Sequence, residues 1–590
     1  MRSILATSVL GLLPALLVSL PSSAAAAGAP AAGEATAPFV ERFDIDVINV
    51  EAFVTGKDGK SVDDLTIDDF EVFEDGKKVE LTNFFQNDRV ASLGAESADD
   101  PPAGNAAALP SGAAPPVVPE DQRLNLVVYV DLYHLRPANK TKVLNQLGGF
   151  LEQRIGHGDR VMTIAHQRNL KMIHPFTQDF QRIKAGIGEV SVMATGGQTS
   201  DAERRRVTAS VFCTSDNPAM DQQNALLSVK TFAEQQALEI QSSMTALETV
   251  LRSLGGLPGR RALLYVSDGL EKQPGLDLFQ LYRDRFGGGR RTGDASIPDD
   301  PSMDMARTDQ TRIFNKVAET ANSHQVTLYT LQARGTGGLA HTHPQEADTS
   351  AGIAGNFIAS TERSLSEQEP LIALADETGG SAIVNTSNFQ GAFASLSSDF
   401  NSLYSLGYRS QRGGDGKYHK IEVKVKRPGL KVRHRSGYVD NSQEKRVADR
   451  AYSSLILDLE SNPLGVTVDF ATPKDQGFNK YHLPLLIRVP LSQLALLPDG
   501  DKYRGKLRIF FAVQDPDGAV SQVQEIPYPV EVPAAEMDQL REKEVGYALK
   551  LAVREGSPRI AVSVWDEIAG TETHLLRSVP VGGGDKKAAL

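Results

Sequence analysis

Two aspartates stand where apolar, strand-like runs end: Asp131 after "LNLVVYV" and Asp268 in "RRALLYVSDG". In open α/β sheets ligands bind beyond the carboxyl ends of the strands, so a carboxylate placed there reaches for a cation or a partner. The chemistry these acids could share is metal-assisted binding. Mg²⁺ takes about six oxygen ligands at short distance, and small hydroxyls beside a carboxylate suit it. The loop after Asp131 instead reads Leu132, Tyr133, His134, Leu135. Leucine has no oxygen to give, and a tyrosine ring is too long to stand in for a seryl hydroxyl. His134 offers nitrogen, which favours zinc or copper over magnesium, and a solvent-facing imidazole is the expectation there. Without a metal, Asp131 caps the turn that follows it and Asp268 makes a turn with Gly269.

Other candidates carry less. His341 and His343 in "HTH" are two imidazoles in a loop, which alone seldom make a metal site. "DPDG" at Asp515 to Gly518 is explained by a hairpin turn, since the later donors of a calcium loop are missing. "YHKIEVKVKR" and "KVRHR" read as a basic strand pair on the charged outer face of an antiparallel sheet. Cys213 is the single cysteine and closes no internal disulfide, so the domains must be stable by core burial. No Gly-x-Ser-x-Gly elbow, His-Glu-x-x-His pair, P-loop or double-cysteine cluster appears, which leaves no positive case for catalysis.

The elements that position the two acids are legible in the patterning. From Leu124 to about Leu406 the strand candidates "LNLVVYV", "DRVMTIAH", "LKMIHPFT", "RRALLYVSDG", "QVTLYTLQA" and "SAIVNTS" alternate with amphipathic helices. That alternation predicts an α/β domain with a doubly wound, mainly parallel sheet over 122–440, ending in a β tail. Polar stretches at roughly 200 to 235 and 284 to 305 read as inserted loops or lids. A small β unit covers 40–88, where "KDGK" and "EDGK" mark hairpins; it is too short to be very stable alone and is expected to pack on its neighbour. An Ala/Pro/Gly-rich linker follows at 92–119. Residues 450–585 run as strands alone, as in an all-β sandwich.

At 590 residues the chain needs two to four domains. Its 41% hydrophobic and 23% charged residues are those of ordinary globular protein, and a formal charge of −12 argues against wholesale nucleic-acid binding. Residues 1–27 have the layout of a secretory signal peptide: an early arginine, an apolar run, then small residues with Ala-x-Ala cuts. Pro14 and Pro21 interrupt that run, which is short for a membrane span. The expectation is export to the periplasm or beyond, with no integral span after signal removal.

"DFEVFEDGKKVELTNF", "VVYVDLYHL", "GRRALLYVSDGLE", "LADETGGSAIVN" and "LYSLGYRSQRGGDGKYHKIEVKVKRPGLKVRHRSGYVD" occur in that order. Together they resemble the VWFA-related family of exported proteins abundant in Acidobacteria, over roughly Phe43 to Asp440. The resemblance implies a von Willebrand factor type A domain. Its metal-ion-dependent adhesion site would use an Asp-x-Ser-x-Ser loop, a threonine and a third-loop aspartate. Asp131 matches the first acid, Asp268 the last and Thr199 the threonine, while Tyr133 and Leu135 stand at the two serine positions. The metal site is therefore expected to be degenerate, with no cofactor or only weak Mg²⁺.

The sequence thus points to an exported, non-enzymatic protein-binding or scaffold protein. Another protein would be held at the strand-end face, with Tyr133 and Leu135 supplying the contacts a metal would otherwise provide. The alternatives are a Mg²⁺-dependent adhesin and a hydrolase using the Asp131/His134 neighbourhood.

Overall fold

The computed structural model describes residues 47–88, 123–156, 158–286, 302–335, 350–410 and 413–582. The signal-like start, the linker at 92–119 and the "HTH" histidines lie outside the described residues. So does most of the second inserted stretch.

The chain enters through β1 (Val47–Thr55), β2 (Phe70–Glu74), β3 (Lys77–Val79) and β4 (Leu81–Asp88). Asp75 and Gly76, with φ of 48° and 78°, make the tight turn between β2 and β3 that "EDGK" predicted.

The central layer comprises β5 (Leu124–Asp131), α1 (Pro137–Gly156), β6 (Arg160–His166), β7 (Leu170–Thr177), α2 (Phe180–Val192), α3 (Gly197–Phe212) and α4 (Pro218–Leu254). It continues through β8 (Arg260–Ser267), α5 (Leu276–Phe286), α6 (Ser302–Arg307), α7 (Thr311–Ser323), β9 (Val326–Gln332), α8 (Ser350–Glu377), β10 (Ala382–Ile383) and α9 (Phe389–Asn401). The sheet order is β10-β9-β8-β5-β6-β7, parallel except for β7 against β6. Every residue of β5 is buried, as a strand covered on both faces must be. Leu126, Val128 and Val130 pack with Leu147 and Leu151 of α1, Ile183 of α2 and Phe393 of α9. Val127 and Tyr129, on the opposite face, pack with Leu247 and Leu251 of α4, Val317 of α7 and Leu374 of α8. Strand order reverses between β5 and β8, so the crevice between their carboxyl ends is the topological switch point.

The first inserted stretch is not a loop. It forms α3 and α4, the latter 37 residues long, and Val207, Val211, Leu226, Val229 and Phe232 make a small core with Leu278 and Phe279 of α5. These apolar residues recur at helical spacing within a polar composition that belongs to the outer faces.

Beyond α9 come β11 (Ser402–Arg409), β12 (Tyr418–Val425), β13 (Lys431–His434) and β14 (Gly437–Val439). They interleave with the first four strands in two antiparallel sheets, β13-β1-β11-β4 and β14-β12-β2-β3. Val50, Val72, Leu406, Ile421 and Val423 form their shared core. The two basic stretches therefore do not pair with each other: β12 pairs β2 and β14, and β13 pairs β1. Ile421 and Val423 meet Val432 across this core, which puts the two strands in different sheets.

The chain then forms a helix, α10 (Gln443–Leu457), before its last nine strands. In these, β15 (Thr467–Phe470), β16 (Lys474–Asp475) and β17 (Lys480–Pro490) make one antiparallel sheet with β21 (Glu544–Arg554). The strands β18 (Leu497–Asp499), β19 (Lys502–Gln514), β20 (Gln524–Pro533), β22 (Arg559–Asp566) and β23 (Thr571–Ser578) make a second. Leu485, Ile487, Ile509 and Val562 from the two sheets share one core. Gly518 N–H bonds Asp515 O at 2.9 Å, so "DPDG" is a turn. Among the described residues no helix is long and apolar enough to cross a membrane.

Candidate functional site

Asp131 ends β5 at the switch point and is fully buried. Its Oδ1 accepts the Tyr133 N–H at 3.2 Å, which folds the loop back on the strand end, and lies 3.4 Å from His166 Nδ1. Its Oδ2 accepts from Tyr265 OH at 2.5 Å and from His134 Nδ1 at 2.9 Å. Burial opposes ionisation of Asp131, but His134 and His166 outweigh it and hold the carboxyl well below its usual range. For His134 burial works against the charge and Asp131 more than restores it, so its pKa is raised. His134 is therefore not solvent-facing: its side chain is only 12% exposed and clamped to Asp131, while Nε2 is buried without a hydrogen-bond partner.

Asp268 follows β8 and is likewise committed. Its Oδ2 accepts the Arg136 backbone N–H at 2.8 Å and Arg136 Nη1 at 3.1 Å, and its Oδ1 accepts from Asn139 Nδ2 at 2.8 Å. The same guanidinium grips Asp201 in a bidentate fork, Nε to Oδ2 at 2.5 Å and Nη2 to Oδ1 at 2.7 Å. Burial raises the Asp201 carboxyl, yet the Arg136 hydrogen bonds and charge bring it down to about 2. At Asp268 burial prevails over Arg136 and Asn139, and its pKa is raised.

This donor set does not fit a Mg²⁺ shell. All four oxygens of Asp131 and Asp268 already have protein N–H or O–H partners, and a guanidinium occupies the cation position beside Asp268. No group of three or more His, Cys, Asp or Glu side chains that could hold a metal ion occurs among the described residues.

Thr199 lies on the exposed first turn of α3, its N–H bonded to Gly196 O at 3.0 Å. It lines the same cavity as Asp268. Tyr133 sits half-buried at the mouth, where burial and the Glu239 carboxylate raise its pKa. Leu135 is a correction: it is wholly buried in the core with Leu132 and Val143, so it cannot contact a partner. The cause is the tight seat of "ATGG" against this loop. Gly196 N–H bonds Leu132 O at 2.9 Å, and a Cβ on Gly196 would meet Tyr133 O at 2.5 Å. That approach turns Leu135 inward.

Between the strand ends and α3 and α4 lies a cavity of about 370 Å³. Glu271, Arg363 and Glu367 line it: Arg363 binds Glu367 at 2.8 Å, and Glu271 is bound from behind by Arg204, which also holds Asp277 at 2.6 and 2.5 Å. Sequence reasoning missed Arg136, Asp201 and Thr195. The arginine directly after "DLYHL" was the available signal for the first. Thr195, whose hydroxyl is buried without a partner, lies four residues before the threonine chosen.

No family model matches the chain, and no curated protein does. Among solved structures, an aerotolerance-related membrane protein from Bacteroides fragilis NCTC 9343, carrying multiple mutations to serine, shares 10% identity with a TM-score of 0.22, covering 47% of this chain and 98% of its own. The conserved hypothetical protein BatB from Bacteroides thetaiotaomicron shares 10% with a TM-score of 0.20 and the same coverage. The open conformation of the pilus adhesin SpaC from Lactobacillus rhamnosus GG shares 7% with a TM-score of 0.24, covering 79% of this chain and 53% of that one. At such scores the likenesses carry no argument, and the mixed α/β architecture rests on the strand order itself.

Proposed function

We propose that this chain is an exported, non-enzymatic binding or scaffold protein. It holds another protein at the carboxyl edge of the central sheet, through a type A-like domain whose metal site is degenerate. The observation that carries the reading is the Arg136 guanidinium bound to both Asp201 and Asp268, where an ion-dependent site needs open carboxylate oxygens. With those acids committed, contact falls to the cavity rim, where Tyr133 is the aromatic anchor. The apolar leader-like start supports the exported part of the reading.

The hydrolase alternative finds little support. Ser243 Oγ lies 3.4 Å from Nδ1 of His134, the nitrogen that Asp131 already uses, and not against Nε2. The test is affinity capture of envelope proteins by the full chain, by a variant carrying Tyr133→Ala together with Arg168→Ala, a second residue that lines the cavity, and by the full chain in EDTA. The expected result is a partner lost with the double variant and retained in EDTA. Capture indifferent to the variant would place binding on another face, and capture abolished by EDTA would support the metal-dependent adhesin instead.

A further inference from the structure

We infer that β21 is a docking edge for a second copy of this chain. The two copies pair antiparallel about a two-fold axis and join their C-terminal sandwiches in one continuous sheet.

The strand runs for 11 residues and pairs with β17 in unbroken register from Glu544 to Arg554. Its outer edge is free among the described residues. Pro484 and Pro490 of β17 stand opposite Lys550 and Glu544 and have no N–H to give. The Pro484 carbonyl takes the Ala471 N–H at 2.9 Å on the far side of β17. These pairs therefore exchange no hydrogen bond with β21, and by alternation the backbone groups of Gly546, Ala548, Lys550 and Ala552 point outward. Tyr528 OH meets Gly546 O at 3.3 Å on that outer side.

Other long edges of this protein are blunted, and this one is not. An exposed strand edge templates pairing, and proteins block it with proline, bulges or short length. Pro527, Pro529 and Pro533 stand at alternate positions of β20, the edge of the facing sheet. Edge strand β7 carries Pro175 and a shifted register against β6. Neither device occurs in β21. The row that it sends into the sandwich is also unfinished, with Val545, Tyr547 and Leu549 only partly buried.

A second copy of the strand is complementary to this edge in one register. Glu544 and Arg554 end β21 with opposite charges, and setting each against the other engages the whole strand. Lys550 then faces Ala548, and Gly546 faces Ala552. A slip of two residues one way sets Lys550 against its own copy, and the other way carries Arg554 past the end of the partner strand. At the axis Leu549 meets Leu549 in a pair without ladder bonds, where side chains approach most closely. Tyr547 lies beside Leu551 and Val545 beside Val553, which covers the half-buried row. Glu544 and Arg554 are 42% and 49% exposed in their present pairs with Arg488 and Asp517, so both are free to exchange partners. An isologous contact of this kind closes at the dimer.

The test is sedimentation velocity of the full chain from about 1 to 100 µM, where a reversible dimer with a Kd of about 10 µM or tighter is expected. Ala548→Pro removes an outward N–H and spares the β17 ladder, as the prolines of β20 do for β19. Two bonds are lost per dimer by symmetry, so the Kd should rise about tenfold or more with Tm close to that of the natural chain. Glu544→Arg should weaken the dimer about fivefold, and adding Arg554→Glu should restore it. Mild oxidation of Leu549→Cys in a Cys213→Ser background should give a covalent dimer, because the two Cα atoms at the axis lie within disulfide reach. A chain that stays monomeric at about 100 µM would overturn the inference. So would a dimer indifferent to both Ala548→Pro and Glu544→Arg, or one that Leu549→Cys does not cross-link. Should Ala548→Pro fail to fold, the charge reversal and its rescue decide the matter.

Discussion

Replacing Arg136 with methionine keeps the apolar stem and removes the cation that Asp201 and Asp268 share. Two largely buried acids would then lose their common partner. Breaking a buried ion pair by deleting one side typically costs about 3–5 kcal/mol. Because Asp201 is 21% exposed, a loss near 3 kcal/mol is expected for Arg136→Met in urea unfolding. A loss below about 0.5 kcal/mol would mean that the fork contributes no more than an exposed pair. At this scale the sequence showed where the acids sit, because the end of a buried strand fixes the position of Asp131 and Asp268. It did not show what they bind. Arg136 follows a loop whose path depends on Gly196 and Gly197, and its second partner, Asp201, is 65 residues away in sequence. The burial of Leu135 was hidden for the same reason.

Among the elements, β1 to β4 complete two sheets that β11 to β14 leave half-built. A chain beginning at residue 123 would expose Leu406, Tyr408, Ile421 and Val423, all buried in the intact protein, together with two sheet edges. Such a truncation is expected to aggregate on size-exclusion chromatography, whereas the intact chain elutes as a discrete species; a monodisperse truncation would show that the β tail is stable by itself. The hairpin signal at Asp75-Gly76 and every strand of the central sheet could be read in advance, since alternation and turn chemistry are local properties. The helix α3 and the first half of α4 could not, because their polar faces dominate the composition and their apolar stripe is fixed by contacts with α5, whereas the apolar spacing of "EIQSSMTALETVLRSLGG" marks the second half of α4 as helix. The separation of β12 and β13 into different sheets depends equally on partners distant in sequence.

For the whole molecule, α10 is the joint between the central layer and the last nine strands. Val447, Ala451 and Leu455 pack on Phe510, Trp565, Ala512 and Ala561, while Leu457 enters the central core. His324, at the end of α7, lies 3.8 Å from Asp449 of this helix. Burial lowers its pKa from 6.5 to about 4, with Asp449 offsetting only part of the effect. The unfolded chain therefore takes up this proton more readily than the folded one. The stability His324 contributes is full above pH 6.5 and declines as pH falls toward about 4. The His324→Gln variant should show a shallower loss of unfolding free energy between pH 7 and pH 5 than the natural chain; parallel slopes would contradict this.

The central claim is that Asp131 and Asp268 are satisfied by the protein's own donors. Thermal unfolding of the full chain in rising Mg²⁺ and Mn²⁺ tests it most directly, because an ion that binds the folded state alone raises its stability by about 2.7 kcal/mol at a hundred times its Kd. The account predicts no saturable change in Tm with either ion. A saturable rise of several degrees that Asp268→Ala abolishes would contradict it.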